Sequence, residues 1–299
     1  MIGPFKFKPF VIPKIWGQET WTLSAQGEYV SVVSEGQLKG TDLSELIEVY
    51  MDELLGGHVF DQYGNGFPLL FKRIDARDDL SIQVHPNDEQ ADDGFGKNEM
   101  WYVLDSQPEA SVILGFNQKT LAGDVRRHLA EGTLMTMLNR VPVEKGDVLH
   151  IPAGMIHALC RGTHVLEIQQ SSDTTYRLFD YNRRDAQGNA RELHVDRALE
   201  VLSYKRLLQT KVDYEPQIND IVMLVNDEHF VTNLITISRP VVRDSYELDS
   251  FLVYMCAQGA CTINGVHLAQ DETVLVPANM TEIEIVPEGE VSLLETYIP

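Results

Sequence analysis

The chain has 299 residues, 43% of them hydrophobic and 23% charged, which excludes a disordered or collagenous protein. Lys+Arg number 24 against 45 Asp+Glu, a formal net charge of -21. Such a surface repels a nucleic-acid backbone and an anionic membrane, so neither is an expected partner.

The first predicted element is a helix. Thr41 or Asp42 can cap a stretch bearing Leu43, Leu46, Ile47, Leu54 and Leu55, and Gly56 with Gly57 stops it. Short β-rich segments follow at 80–85, 100–104, 148–151 and 165–169, bounded by Gly, Pro, Asp or Asn. Helical patterns fall near 122–131 and 195–204, and further strands at 251–255 and 273–276. Many short strands with few helices predict a mainly β chain, a barrel or sandwich with helical insertions.

A prior of roughly 150 residues per domain predicts two units. An internal echo agrees. Residues 145–157 and 270–282 both read as a turn, an apolar strand, Pro-Ala, a turn residue and Met. His157 in the first copy stands opposite Glu282 in the second, so a metal site is expected only in the first. The polar segment around Pro216 suggests a boundary, giving domains 1–212 and 213–299. Cys160, Cys256 and Cys261 are odd in number and form no CxxC pair, as expected of thiols in a reducing cytoplasm. No segment reads as a signal peptide, and none approaches the roughly 18 apolar residues of a spanning helix. A cytoplasmic protein is expected.

Residues 80–85 alternate. Leu80, Ile82 and Val84 share one strand face, and Ser81, Gln83 and His85 the other. Pro86 cannot continue a ladder, so the strand should end there. Glu99 opens a second strand after the loop 94–98, which can aim Lys97 and Glu99 inward together. His157 follows the turn Pro152, Ala153, Gly154. Two imidazoles and a carboxylate can bind a divalent cation and leave positions open for substrate. Taken singly, these residues also read as hydrogen-bonded core histidines and a surface glutamate.

These residues carry a resemblance. Gln83-Val84-His85-Pro86, Gly96-Lys97-Asn98-Glu99-Met100-Trp101, Ile151-Pro152-Ala153-Gly154-Met155-Ile156-His157 and Asp173-Thr174-Thr175-Tyr176-Arg177-Leu178-Phe179-Asp180-Tyr181 resemble mannose-6-phosphate isomerase, class I, in its short bacterial form. Lys14-Ile15-Trp16-Gly17 and Phe67-Pro68-Leu69-Leu70-Phe71-Lys72 fit as well, so the likeness runs along nearly the whole chain. It implies two cupin-like β-barrels (jelly rolls) with helical insertions. Residues 1–212 would be the metal-bearing catalytic domain and 213–299 a degenerate domain without a metal site.

The resemblance further implies one zinc ion per chain on Gln83, His85, Glu99 and His157, with Arg177 catalytic and Asp173 near the sugar. Lys72, Ser81 and Lys97 match the phosphate-binding neighbourhood. The implied reaction interconverts mannose 6-phosphate and fructose 6-phosphate through an enediol. The chain departs from longer relatives at two places. Gly96 stands where they carry a His proposed for proton transfer, and Asn98 replaces a proline.

That chemistry needs a base at the carbon acid and something to stabilise a developing oxyanion. Arg177 suits the second task, and Asp173, on the same extended face, could orient Arg177 or act as base. A phosphosugar entering so acidic a protein needs local cations, which Lys72 and Lys97 would supply. The expected partner is this small substrate, with the chain a monomer or homodimer. Two other readings keep the pocket: a metal-dependent cupin oxygenase, and a non-catalytic sugar-binding cupin.

Overall fold

A computed structural model describes residues 2–185 and 187–299. The chain is mainly β, with strands in open sheets rather than closed barrels among the described residues. It divides into two compact units. One gathers residues 11–20 and 72–212, the other residues 2–10, 21–71 and 213–299. The change of unit after Val212 falls close to the expected polar segment. The contiguous division at 1–212 is drawn differently here, because 21–71 groups with the C-terminal residues.

Backbone hydrogen bonds explain that grouping. Phe251 N donates to Leu55 O, Ala278 N to Leu54 O and Asn279 N to Glu53 O, at 3.0 Å each. The helix behind these carbonyls, Leu43–Leu55, forms as its sequence predicts. Asp42 is its N-cap and accepts from Glu45 N, Glu45 answers as a capping box, and Leu43, Leu46, Ile47, Leu54 and Leu55 are buried. Gly56 ends it at φ 95°, where a Cβ would lie 1.8 Å from the Asp249 carbonyl oxygen. Only glycine fits there.

The rest of this unit holds a six-stranded sheet in the order Phe5–Lys6, Thr273–Val276, Leu252–Gln258, Val291–Tyr297, Val231–Ile237, Asp220–Asn226. A four-stranded sheet runs Val241–Asp244, Glu282–Pro287, Ala260–Ile263, Val266–Ala269. Leu252, Tyr254, Ile263, Ile283 and Leu293 contribute to its core.

The unit of 11–20 and 72–212 carries the site. A five-stranded antiparallel sheet runs Leu138–Pro142, Ser111–Phe116, His157–Leu159, Ile82–Val84, Tyr176–Phe179. A six-stranded sheet runs Val148–Ile151, Glu99–Ser106, Thr163–Gln170, Leu69–Ala76, Gly17–Leu23, Phe10–Lys14. The last three strands have weak alternation, and sequence analysis did not single them out. Ile82, Val84, Trp101, Val103, Val112 and Leu149 belong to one buried cluster. The predicted strand at 80–85 pairs only over Ile82–Val84, ending just before Pro86 as expected. The expected helices appear as Ala122–Ala130 and Val195–Val201.

The internal echo is structural too. Met155 N donates to Pro152 O at 3.1 Å, and Met280 N to Pro277 O at 3.0 Å, so both copies make the same turn after their strand. Glu282 is exposed, whereas His157 is fully buried. Among the described residues, no helix is long and apolar enough to cross a membrane.

Candidate metal centre and active site

Strand register assembles the site. His157 pairs with Gln83, and Arg177 pairs with Gln83 on its other side. Glu99 pairs with Ile151 and with Gln169 in the second sheet. The two sheets meet where His157 approaches Glu99. Asn98 ties the ligand-bearing segments together, its Oδ1 accepting from Ala153 N at 2.7 Å. That bond joins the loop before Glu99 to the turn that launches His157.

His157 Nε2 lies 3.1 Å from Glu99 Oε1, and His85 Nε2 lies 3.6 Å from Glu99 Oε2. One ligand atom from each of the three lies within 4.8 Å of the others. All three side chains are buried. His85 Nδ1 sits 2.8 Å from Thr174 O, and His157 Nδ1 2.8 Å from Met155 O. A carbonyl only accepts, so each Nδ1 carries a proton, and in the neutral ring Nε2 presents the lone pair.

This arrangement fits a cation. Buried lone pairs and a carboxylate converge here and repel one another unless a positive charge lies among them. His85 Nε2 and Glu99 Oε1 have no hydrogen-bond donor. Protonating His157 as well would answer Glu99 Oε1 alone. His85 would still be unanswered, because burial, with Lys97 and His157 nearby, holds its imidazole well below the ordinary range and neutral. Burial pushes the Glu99 carboxyl up, but His157, Lys97 and Lys72 outweigh it and keep the group anionic. Imidazole and carboxylate donors, each imidazole oriented through its other nitrogen, make a divalent metal set. Gln83 reaches the same group, with its amide Nε2 3.4 Å from His157 Nε2.

A cavity of about 290 Å³ opens beside these residues. Its lining contains five basic side chains, Lys14, Lys72, Lys97, Arg177 and Arg191, and four acidic ones, Glu19, Glu99, Glu167 and Asp173. The balance is slightly positive in a strongly negative protein, as an anionic ligand requires. Lys72 is buried, 3.0 Å from Glu167 and 2.6 Å from Gln169 Oε1. Burial works against its charge, but Glu167 and Glu19 hold it above the usual lysine range. Lys97 is also buried, 4.0 Å from Glu99. Burial and the Lys72 charge draw it below the usual range.

Arg177 bonds Ser81 Oγ through Nε at 3.2 Å and the Glu192 carbonyl through Nη1 at 2.9 Å. Asp173 is not among the hydrogen-bond partners of its guanidinium. Asp173, Thr175 and Arg177 line the cavity together, as their shared face predicts. Gly96 accepts no side chain, since a Cβ there would lie 2.6 Å from backbone atoms of Asn87 and Asp88.

Gln83, Glu99, Lys72, Ser81, Lys97, Asp173 and Arg177 thus all border one cavity, with His85 and His157 directly behind Glu99. Glu167 and Arg191 escaped the sequence reading. Glu167 left a signal, a carboxylate inside a β-rich run. It accepts from Trp101 Nε1 at 2.7 Å, and Trp101 packs edge-on against the His157 ring, with centroids 5.6 Å apart.

Fold and site together define a mainly β protein with a histidine–carboxylate trio that could hold a metal ion, beside a cavity lined by basic and acidic side chains. A family model for the phosphomannose isomerase type I catalytic domain matches residues 12–122. Mannose-6-phosphate isomerase ManA of Bacillus subtilis (strain 168) is 39% identical over 240 residues, covering 73% of this chain and 74% of that protein. The probable mannose-6-phosphate isomerase GmuF of the same organism is 33% identical over 284 residues, covering 92% and 88%. The crystal structure of the mannose 6-phosphate isomerase from Bacillus subtilis superposes with a TM-score of 0.88 at 29% identity, covering 99% of this chain and 100% of that one. The chain belongs to the type I mannose-6-phosphate isomerase family, and it is an isomerase.

Proposed function

We propose that this chain interconverts mannose 6-phosphate and fructose 6-phosphate through an enediol, using one zinc ion held by His85, Glu99 and His157 with the Gln83 amide oxygen. The observation that carries this is the trio of buried donors with unanswered lone pairs at a cavity rich in cations. When bound, the ion supplies Lewis acidity and orients the sugar hydroxyl and carbonyl oxygens. The chain's own residues do the rest. Asp173, at the cavity and bound to no arginine, moves the proton between C1 and C2. Arg177 keeps its charge on neutral acceptors and stabilises the oxyanion that forms. Lys97, with Lys72 and Ser81, favours an anionic substrate over a neutral sugar.

In this reading residues 1–212 supply the catalytic machinery and 213–299 a metal-free repeat of the same design, both derived from cupin-like barrels. The enzyme would work in the cytoplasm as a monomer or homodimer. The test is a coupled assay for fructose 6-phosphate formed from mannose 6-phosphate. Turnover should vanish on chelation and return with zinc. Turnover indifferent to chelation would overturn the metal role, and oxygen consumption without isomerisation would overturn the reaction.

A further inference from the structure

Two arginines, Arg177 and Arg191, line the cavity, and a third, Arg183, shares Asp180 with Arg191. Asp180 is buried and accepts from Arg191 through Nε at 2.7 Å and through Nη2. It also accepts from Arg183, whose remaining bonds go to Asp78 and the Asp79 carbonyl. Arg191 and Arg177 line the cavity, and Arg183 does not. Two guanidiniums therefore bond one buried carboxylate, and the guanidinium of Arg177, close to them, bonds neutral oxygens among the described residues. Of the cavity's lysines, Lys72 and Lys97 already face Glu167 and Glu99.

We infer that Arg191 is a further substrate-binding residue, aimed into the cavity by Asp180 to take the phosphate monoester of the sugar beside Ser81. The inference deepens the isomerase reading and rests on it for the identity of the ligand. Asp180 occupies Nε and Nη2 and leaves the Nη1 edge of the rigid fork for the anion. Burial and the nearby Arg191 charge depress the Arg177 guanidinium, and an anion held on Arg191 would relieve that repulsion. Spacing agrees. At about 3.3 Å per strand residue, Ser81 lies about 7 Å along the chain from Gln83. An open six-carbon chain spans that distance, placing its reactive end at the metal ligands and its phosphate at Ser81 and Arg191. Asp180 is then a positioning residue.

The test uses the full-length, metal-loaded enzyme with Arg191→Met, Arg191→Lys and Asp180→Asn. Losing one charge-assisted contact should raise KM for mannose 6-phosphate about tenfold to a hundredfold in Arg191→Met, with a much smaller change in kcat. Arg191→Lys should recover part of the loss. Asp180→Asn should raise KM by less than Arg191→Met, because the charge persists but is no longer aimed. Calorimetric titration with inorganic phosphate should show the same ranking and does not depend on turnover. A fall in kcat at constant KM, or phosphate affinity unchanged in Arg191→Met, would overturn the inference. Circular dichroism separates misfolding from lost binding, and the lysine variant carries the test if the methionine variant unfolds. Should the isomerase reading fail, the wild type would not turn over the sugar, while the phosphate titration would still decide the role of Arg191.

Discussion

Glu99 and Glu295 are both fully buried carboxylates on strands, one in each unit, and they are answered in opposite ways. Glu295 accepts from Arg243 Nε at 3.1 Å, Tyr254 OH at 2.8 Å and Asn233 Nδ2 at 3.1 Å. The protein supplies its counter-charge and its donors. Burial works against the Arg243 charge, but Glu295 outweighs it and holds the guanidinium above its ordinary range. Glu99 faces two imidazole nitrogens and a lysine 4.0 Å away, and its Oε1 has no donor. A buried anion answered from within is structure; one whose neighbours are themselves lone pairs is a site for a cation from outside.

The sharpest break in this comparison comes from Glu99→Gln. Turnover should be lost altogether, beyond the roughly 10–100-fold typical of residues outside the ligand shell. Metal content measured after dialysis should fall with it, and a variant that keeps its metal would undo the assignment. Glu295→Ala should do the reverse. It leaves Arg243 without its partner, so we expect a loss of about 3 kcal/mol of unfolding free energy, read from denaturant midpoints, with metal content retained.

Asp180 tests whether a carboxylate of the catalytic unit can behave like Glu295. Burial raises its pKa, but bonds from Arg191 and Arg183 outweigh that and hold it below the usual range. A depressed folded-state value adds stability that is complete above about pH 4 and is lost as pH falls through the folded value. The melting-temperature gap between wild type and Asp180→Asn should therefore be widest above about pH 4 and close below it. A gap constant across that range would show that the arginine bonds do not matter to folding. The smallest effect is expected at the thiols. Burial pushes Cys256 up to about 12, and Cys160 and Cys261 to about 11. All three should resist a thiol reagent at neutral pH until the protein unfolds, and rapid labelling would contradict their burial.

Much of the candidate metal site was legible because its signals are local. The period-two row Ser81, Gln83, His85 needs only strand geometry. So does the inward aim of Glu99 after its loop, and the Pro-Ala-Gly turn before His157. The capping box at Asp42 and the glycine stop at Gly56 are likewise short-range. Other features were not legible. Glu167 and Trp101 meet across 66 positions, and Lys72 and Gln169 across 97. No local pattern encodes such pairs. Nor does alternation reveal that residues 21–71 group with 213–299, since that depends on which carbonyls Phe251 and Ala278 find.

The sequence alone determined which residue types were available and which face of each strand they occupy, because pleat and cap chemistry act over a few bonds. The tertiary structure alone decided which charges are already answered. Lys72 proved to be paired with Glu167, Arg177 to be held by neutral oxygens, and Arg191 to be aimed by Asp180. Charge compensation is a property of distance and burial in space, and neither is written along the chain.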